Sequence, residues 1–416
     1  MKSQTPTHLL RLRQVEDLKY VRPDTADVVV INANFLENNH QSVQDWLSIT
    51  RLSFLIDPGL WRFQEQSWPT KPDGSIKRNY ARLALRYERE TSLAMGSSPL
   101  NTAGITVGDW EQLASNGIEY QRDRPSEGFS DQLSLLDETG SAPKPAAFVA
   151  PYLVSHEEAD VQTNRVLHEA AAAAAGQPVW RWVAVDPQQF RERTDDELLS
   201  GVSRDTTSGV VLWLPACTDD RLMTDNTILA RVISLALTVT SQGIPFILNG
   251  GYVAAALTGS GISGLLHPIR WVDNGDPAKE ASGGLRSCQI YVPGLHAPMR
   301  FKDAARLAQG MTQSEYLRLF CDCFICRGAF ENGQHPLDLL LEEQEVPGPR
   351  GGTRMTPTGR ALLVHTWHFL AARRAEVRRF GERPATEVLG EDFERAVSLA
   401  GTAPHLGRLA ELIGAA

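Results

Sequence analysis

The chain has no apolar run of the ~18 residues that a membrane span requires. Its opening stretch, MKSQTPTHLLRLRQVEDLKY, is too polar for the apolar core of a secretory leader. Both absences predict a cytoplasmic protein with no membrane partner. Basic excess is missing too: 50 acidic against 41 basic side chains leave a net charge of −9, so a nucleic-acid partner would need a local basic patch. Cysteine is scarce. Five are present, and three of them crowd into one hexapeptide, which argues against a disulfide framework because close neighbours rarely cross-link among themselves. Cys217 and Cys288 carry no signal of their own.

What is present fits a large soluble α/β protein. The 416 residues are 42% hydrophobic and 22% charged, enough to bury a sizeable core. Apolar, β-branched runs alternate with helical stretches, the pattern of βα units on a parallel sheet. Expected strands are 27–33, 53–57, 147–154, 179–185, 209–214, 245–249 and 262–269, with one more near 8–13. Helices are expected at 160–175 and 225–240. Seven or eight such units predict a (β/α)8 TIM barrel over residues 1–310, with function at the C-terminal ends of the strands. A doubly wound open sheet is the alternative. A basic, then Gly/Ser/Pro-rich stretch at about 68–145 reads as a long insertion, a binding arm or a solvated connector. Residues 289–301 read as a short hairpin, and 342–353 as an exposed acidic loop. Thr356 and Pro357 read as the cap and first position of a helix over 358–380. Residues 311–416 would then form a zinc-binding subdomain with C-terminal helices.

The run Phe320-Cys321-Asp322-Cys323-Phe324-Ile325-Cys326 places three soft ligands where one turn can fold them around a tetrahedral zinc at Zn–S distances of ~2.3 Å. A fourth ligand is needed. His365 and His368 share a face of the expected helix, and His335 follows shortly after Cys326. Four protein ligands would make the zinc structural.

This constellation resembles the zinc site of the tRNA-guanine transglycosylases, in which the histidine lies on a helix with an aromatic residue four positions on. His365-Thr366-Trp367-His368-Phe369 is similar, and the match favours His365 as the fourth ligand. The interval from Cys326 to His365 is longer than the family's. A second stretch, Asp57-Pro58-Gly59-Leu60-Trp61-Arg62-Phe63-Gln64, resembles the family's Asp-Ser-Gly-Gly-Phe-Gln, stretched by two residues. That match implies that Asp57 is an active-site carboxylate and that Phe63 and Gln64 contact substrate. Asn249-Gly250-Gly251 resembles the glycine pair with which the family's backbone approaches the base. The resemblance implies a zinc-bearing barrel that exchanges guanine for a 7-deazaguanine base in tRNA or DNA. A carboxylate attacks the ribose C1′, the base leaves, and the incoming base displaces the enzyme.

Two of the family's acids have no counterpart. The place of its nucleophile is Gly264-Leu265-Leu266-His267-Pro268, with His267 as a substrate contact, and the place of its guanine-reading acid is Val149-Ala150-Pro151-Tyr152. Asp186, Asp219, Asp220 and Asp273 lie just past strands and could fill the gap, with Asp273 taken as the partner of Asp57. Arg373, Arg374, Arg378 and Arg379 continue the helix of His365 and could grip phosphates. The missing acids leave room for an alternative, a non-catalytic nucleic-acid-binding or companion subunit of the same fold. Homodimerisation stays open.

Overall fold

The computed structural model describes residues 7–64, 71, 75–91, 100, 104–129, 142–215, 217, 222, 225–269, 289–347 and 352–414. Seven of the apolar runs become strands: β1 Thr7–Leu12, β2 Val28–Asn32, β3 Ser53–Asp57, β4 Val179–Ala184, β5 Thr207–Trp213, β6 Phe246–Asn249 and β7 Gly264–Pro268. They pair in the order β3-β2-β1-β7-β6-β5-β4, every pair parallel. Parallel pairing needs long crossovers. Helices supply them, among them α1 Glu158–Ala175 before β4 and α2 Asn226–Ser241 before β6.

Alternation along each strand sorts the side chains into two layers. Leu9, Val30, Leu55, Trp182, Val211, Ile247 and Leu266 meet in one interior cluster with Trp61, Tyr152 and Trp213. Their neighbours Leu10, Val29, Ile31, Phe54 and Ile56 face the helices. The two edge strands, β3 and β4, are brought together across Tyr152, which donates to Asp57 of β3 and stacks on Trp182 of β4 at 5.9 Å. The sheet is therefore curled.

The expected strand at 147–154 does not form as a regular ladder. Only two isolated bridges tie this segment to β4, Val149 to Trp180 and Ser155 to Val185. Pro151 has no N–H to donate, and side chains take the backbone groups that follow it. Asn164 on α1 bonds both polar groups of Leu153, at 2.7 and 2.9 Å, and Gln64 accepts from the Val154 N–H at 2.7 Å. At the other end of the segment, the Ala146 N–H donates to the Phe54 carbonyl of β3 at 2.8 Å. The sheet has seven strands, with this segment lying between its two edges.

Within the stretch read as an insertion, two helices are described, Arg78–Tyr87 and Val107–Asp123. Trp110, Leu113 and Ile118 of the second join the helix-side core, and Tyr120 donates to the Ala33 carbonyl at 3.0 Å. This stretch thus contributes a packed layer as well as a connection. The hairpin expected at 289–301 is present as β8 Gln289–Val292 and β9 Ala297–Arg300. Residues read as an exposed loop form a second hairpin, β10 Glu343–Pro347 with β11 Thr353–Pro357. Thr356 and Pro357 consequently end a strand. The helix cap is Thr358, whose hydroxyl accepts from the Ala361 N–H at 3.1 Å.

Beyond that hairpin lie α4 Gly359–Glu382 and α5 Ala385–Ala400, with α3 Phe324–Glu331 packed beside α4. One apolar cluster runs without a break from Val210 and Phe246 through Cys321 and Cys326 to Val388. No helix among the described residues is long and apolar enough to cross a membrane.

Candidate functional site

The three sulfurs converge because the chain turns sharply just before them. Residues Tyr316–Phe320 wind as a π turn, closed by the Cys321 N–H on the Tyr316 carbonyl at 3.0 Å. Cys323 then caps α3, and Cys326 sits in its first turn. The fourth group is His368, not His365. Its Nδ1 lies 3.7, 3.4 and 3.5 Å from the Sγ atoms of Cys321, Cys323 and Cys326. All four donor atoms fall within 4.8 Å of one another and all four residues are buried.

These distances suit a metal ion. A tetrahedron with Zn–S of ~2.3 Å and Zn–N of ~2.05 Å has S···N edges of roughly 3.6 Å. His368 Nε2–H donates to the Tyr291 carbonyl at 2.9 Å, which leaves Nδ1 to face the sulfurs. Hydrogen bonds from Cys321 and Cys326 hold the Cys323 thiol well below the usual range. Burial works against a charged His368, and the Cys323 and Cys326 sulfurs overcome it. His365, one helical turn earlier, is only half-buried and packs its ring edge-on against Phe301 at 6.1 Å. His335 is spent as a helix cap, accepting from the Leu337 N–H at 3.2 Å.

The mouth of the curled sheet forms a second polar site. Inward positions at the strand ends carry Arg11, Asn32, Asp57 and Asn249, one layer above the apolar interior. Asp57 is 1% exposed, and its Oδ1 accepts from the Gly59 N–H and the Tyr152 hydroxyl, each at 3.0 Å. Gly59 adopts φ +66°, and a Cβ there would stand 3.1 Å from Asn32 Nδ2, so only glycine suits this turn. Burial and the Asp57 charge push the Tyr152 phenol well above its ordinary value, which keeps it a neutral donor. Arg11 lies over the Trp213 ring at 5.4 Å, and Trp61 packs edge-on against Trp213 at 4.9 Å.

Several residues expected in this mouth are elsewhere. Phe63 is fully buried on the helix side, edge-on to Tyr80 at 6.0 Å. Gln64 is committed to the Val154 backbone through both halves of its amide. Asn249, oriented by its hydrogen bonds, donates to the Leu266 carbonyl at 2.9 Å and accepts from the Trp213 indole at 3.1 Å. The Gly250 N–H is taken by the same Leu266 carbonyl at 3.0 Å, and Gly251 caps the helix Tyr252–Ala256. His267 points away from the interior, because Leu266 occupies the inward position. Its Nδ1–H donates to the Pro268 carbonyl at 2.7 Å, so its Nε2 accepts from His8 Nε2–H, also at 2.7 Å. Burial and then Arg373 pull the His267 imidazole down to about 3. Of the acids considered as partners, Asp186 caps the helix Pro187–Glu192, accepting from the Gln188 N–H at 2.8 Å. Asp219, Asp220 and Asp273 lie outside the described residues.

Three of the four arginines of the row on α4 are paired within the protein. Arg373 is 1% exposed, bonded to Glu376 at 2.8 Å and stacked over Tyr291 at 4.6 Å. Arg374 pairs with Asp27 at 2.9 Å, and Arg379 with Asp392 at 2.8 Å. Arg378 alone of the four is exposed. Asp392 and Glu376 flank His296 at 2.9 Å on either ring nitrogen. Burial opposes a charge on His296, and Asp392 and Glu376 outweigh it, so its pKa is raised. Tyr252 donates to Asp392 at 2.9 Å and Tyr291 to Glu376 at 2.5 Å, which completes an ion cluster joining β8, α4 and α5.

Sequence reading missed Arg11, Tyr152, Trp213 and this cluster. For Arg11 a signal exists, a charged residue on the inward parity of an otherwise apolar strand, between Leu10 and Leu12. For the His296 cluster there is none, since its members are separated by up to 140 positions.

No family model matches the chain, and no curated protein matches it. Among solved structures it is similar to a type I 3-dehydroquinate dehydratase from Clostridium difficile, with a TM-score of 0.31 and 7% identity over 67% of this chain and 90% of that one. A likeness of that size carries no inference about activity.

Proposed function

We propose that the chain is a transglycosylase-like enzyme that exchanges guanine for a 7-deazaguanine base in tRNA or DNA, with Asp57 as its working carboxylate. The observation that carries this reading is the setting of Asp57. It lies at the C-terminal end of β3, buried, with Oδ1 fixed by two donors beneath the aromatic walls of Trp61, Tyr152 and Trp213. In this reading an Asp57 oxygen forms a bond to ribose C1′ as the C1′–N bond to guanine breaks. The incoming base then reverses the step and frees the carboxylate. Asp273 is assigned as the acid that protonates the departing base. Polymer phosphates would meet the exposed Arg78 and Arg82, on a helix that reaches the mouth through the Tyr80–Arg62 bond of 3.2 Å.

The same reading closes the sheet into an eight-sided barrel, with segment 146–155 as the eighth side, supported by its bonds to both β3 and β4. It also makes the ion at Cys321, Cys323, Cys326 and His368 a structural zinc, because four protein ligands leave no open position.

The test is incubation with labelled 7-deazaguanine base and either tRNA or DNA. Incorporation is expected with the natural chain, with a loss of about 100- to 10,000-fold in Asp57→Asn. Failure to label either polymer would sink the proposal. One observation favours a second reading, a non-catalytic companion subunit: among the described residues Asp57 is the one carboxylate on an inward strand position. Binding of tRNA or DNA that never yields a covalent adduct would select that reading.

A further inference from the structure

Arg11 presents a problem that the base-exchange reading does not solve. Its side chain enters the mouth from β1, next to Leu9 on the inward face, and the residue is 3% exposed. Among the described residues neither Nε nor Nη2 has a hydrogen-bond partner. Burying a guanidinium with unmatched donors is unfavourable unless something compensates it. The Trp213 face at 5.4 Å offsets part of that cost. Asp57 does not pair with it, being held instead by Tyr152 and Gly59.

Which nitrogens are unmatched is informative. Nε–H and the adjacent Nη2–H run parallel along one edge of the guanidinium, the edge that accepts two oxygens of a carboxylate or phosphate side-on. Two further buried donors on inward positions also lack acceptors, Asn32 Nδ2 and Trp182 Nε1. Arg62, 7% exposed and stacked on Trp61 at 4.6 Å, adds a second cation near Tyr152. Its own Nη1 is bonded to the Tyr80 hydroxyl at 3.2 Å, so it is Arg11 whose fork stays open among the described residues.

We infer that the mouth contains an oxyanion subsite in which the Nε/Nη2 edge of Arg11 takes a phosphate or carboxylate group of a small ligand. Asn32 and Trp182 supply additional donors, and Trp213 covers the guanidinium. Both nitrogens of the fork are buried, so an anion seated on them is shielded from bulk water. The inference does not require base exchange and holds for any ligand that carries such a group.

Calorimetric titration of the full chain with inorganic phosphate, malonate, guanosine and GMP, alongside thermal melts, tests this. Phosphate or malonate alone should bind, weakening as salt rises, and GMP should bind roughly ten- to a hundredfold tighter than guanosine. Preference for phosphate over malonate would assign the group to a nucleotide, and the reverse to a carboxylate ligand. Arg11→Met should abolish oxyanion binding while Tm holds or rises, since an apolar side chain removes an unpaired buried charge. Arg11→Lys keeps the charge but loses the fork, and should bind more weakly without unfolding. Absence of binding by phosphate, malonate and GMP in the natural chain overturns the inference. So does an Arg11→Met protein that still binds them, or one whose only defect is a lowered Tm.

Discussion

The Cys3His group and the mouth of the sheet are both buried and polar, and they satisfy their polar atoms in opposite ways. In the Cys3His group three sulfurs and one imidazole nitrogen converge on a single point, and the remaining imidazole nitrogen is bonded to the Tyr291 carbonyl. On the inward face of the sheet, Arg11, Asn32 and Trp182 hold donors that meet no acceptor among the described residues. A closed set of ligands stabilises the fold and has nothing left for a substrate. An unmatched set destabilises the fold slightly and is explained by what it can bind. The ion cluster around His296 belongs with the Cys3His group in this respect, since Glu376 and Asp392 are matched by His296, Arg373, Arg379 and two tyrosines.

The contrast can be broken most forcefully at the metal. Cys323→Ser should lower metal content from about one ion per chain to none and leave the region from β8 to α5 unfolded. Structural zinc sites contribute roughly 10–16 kcal/mol of apparent binding energy, comparable to the whole net stability of a typical domain. Metal analysis with circular dichroism checks this, and a chelator should reproduce the effect in the natural chain. A folded, metal-free protein would mean that the sulfurs are merely packed.

Next in size is Asp392→Asn, which leaves His296 and Arg379 without their shared anion and should cost about 3–5 kcal/mol by denaturant titration. A pH dependence accompanies it. The folded pKa of His296 is raised, so its contribution is fully present below the ordinary imidazole value and fades as pH rises through the raised one. Glu376 and Asp392 are lowered by their cationic partners against the effect of burial, so their contribution fades as pH falls below the ordinary carboxylate range. Stability should therefore decline on both sides of weakly acidic pH, and Asp392→Asn should flatten the alkaline side.

The smallest effect sharpens the comparison. His365→Ala should keep the metal and lose about 1 kcal/mol or less, because only an edge contact with Phe301 goes. His368→Ala should lose the metal outright. Metal content of the two variants side by side separates a ligand from its neighbour on the helix.

Much of this architecture can be read in the residue pattern, and the errors have physical causes. Periodicity located seven strands, since apolar β-branched runs bounded by polar turns have few alternatives. The same cue misread 147–154, where Pro151 and the side chains of Asn164 and Gln64 divert the backbone. Charge alone suggests a phosphate-binding row on α4, yet Asp27 and Asp392 come from distant elements to pair Arg374 and Arg379, and Glu376, one turn on along the same helix, pairs Arg373. Phe63 and Gln64 were assigned to the mouth by likeness to a motif, and the two extra residues carried them past it into packing and backbone bonding.

The three-cysteine run was sufficient to announce a thiolate site, because ligands so close together need little more than one turn to converge. The alternation of β3 was likewise sufficient to put Asp57 on the same face as Leu55. Choosing between His365 and His368 required the roll of α4 about its own axis. That roll is set by contacts from remote segments, with Phe369 wedged edge-on against His267 and Tyr291, each at 5.4 Å. The mouth depended on the third dimension even more. Arg11, Asp57, Tyr152 and Trp213 are scattered over two hundred positions, and curling the sheet is what makes them neighbours.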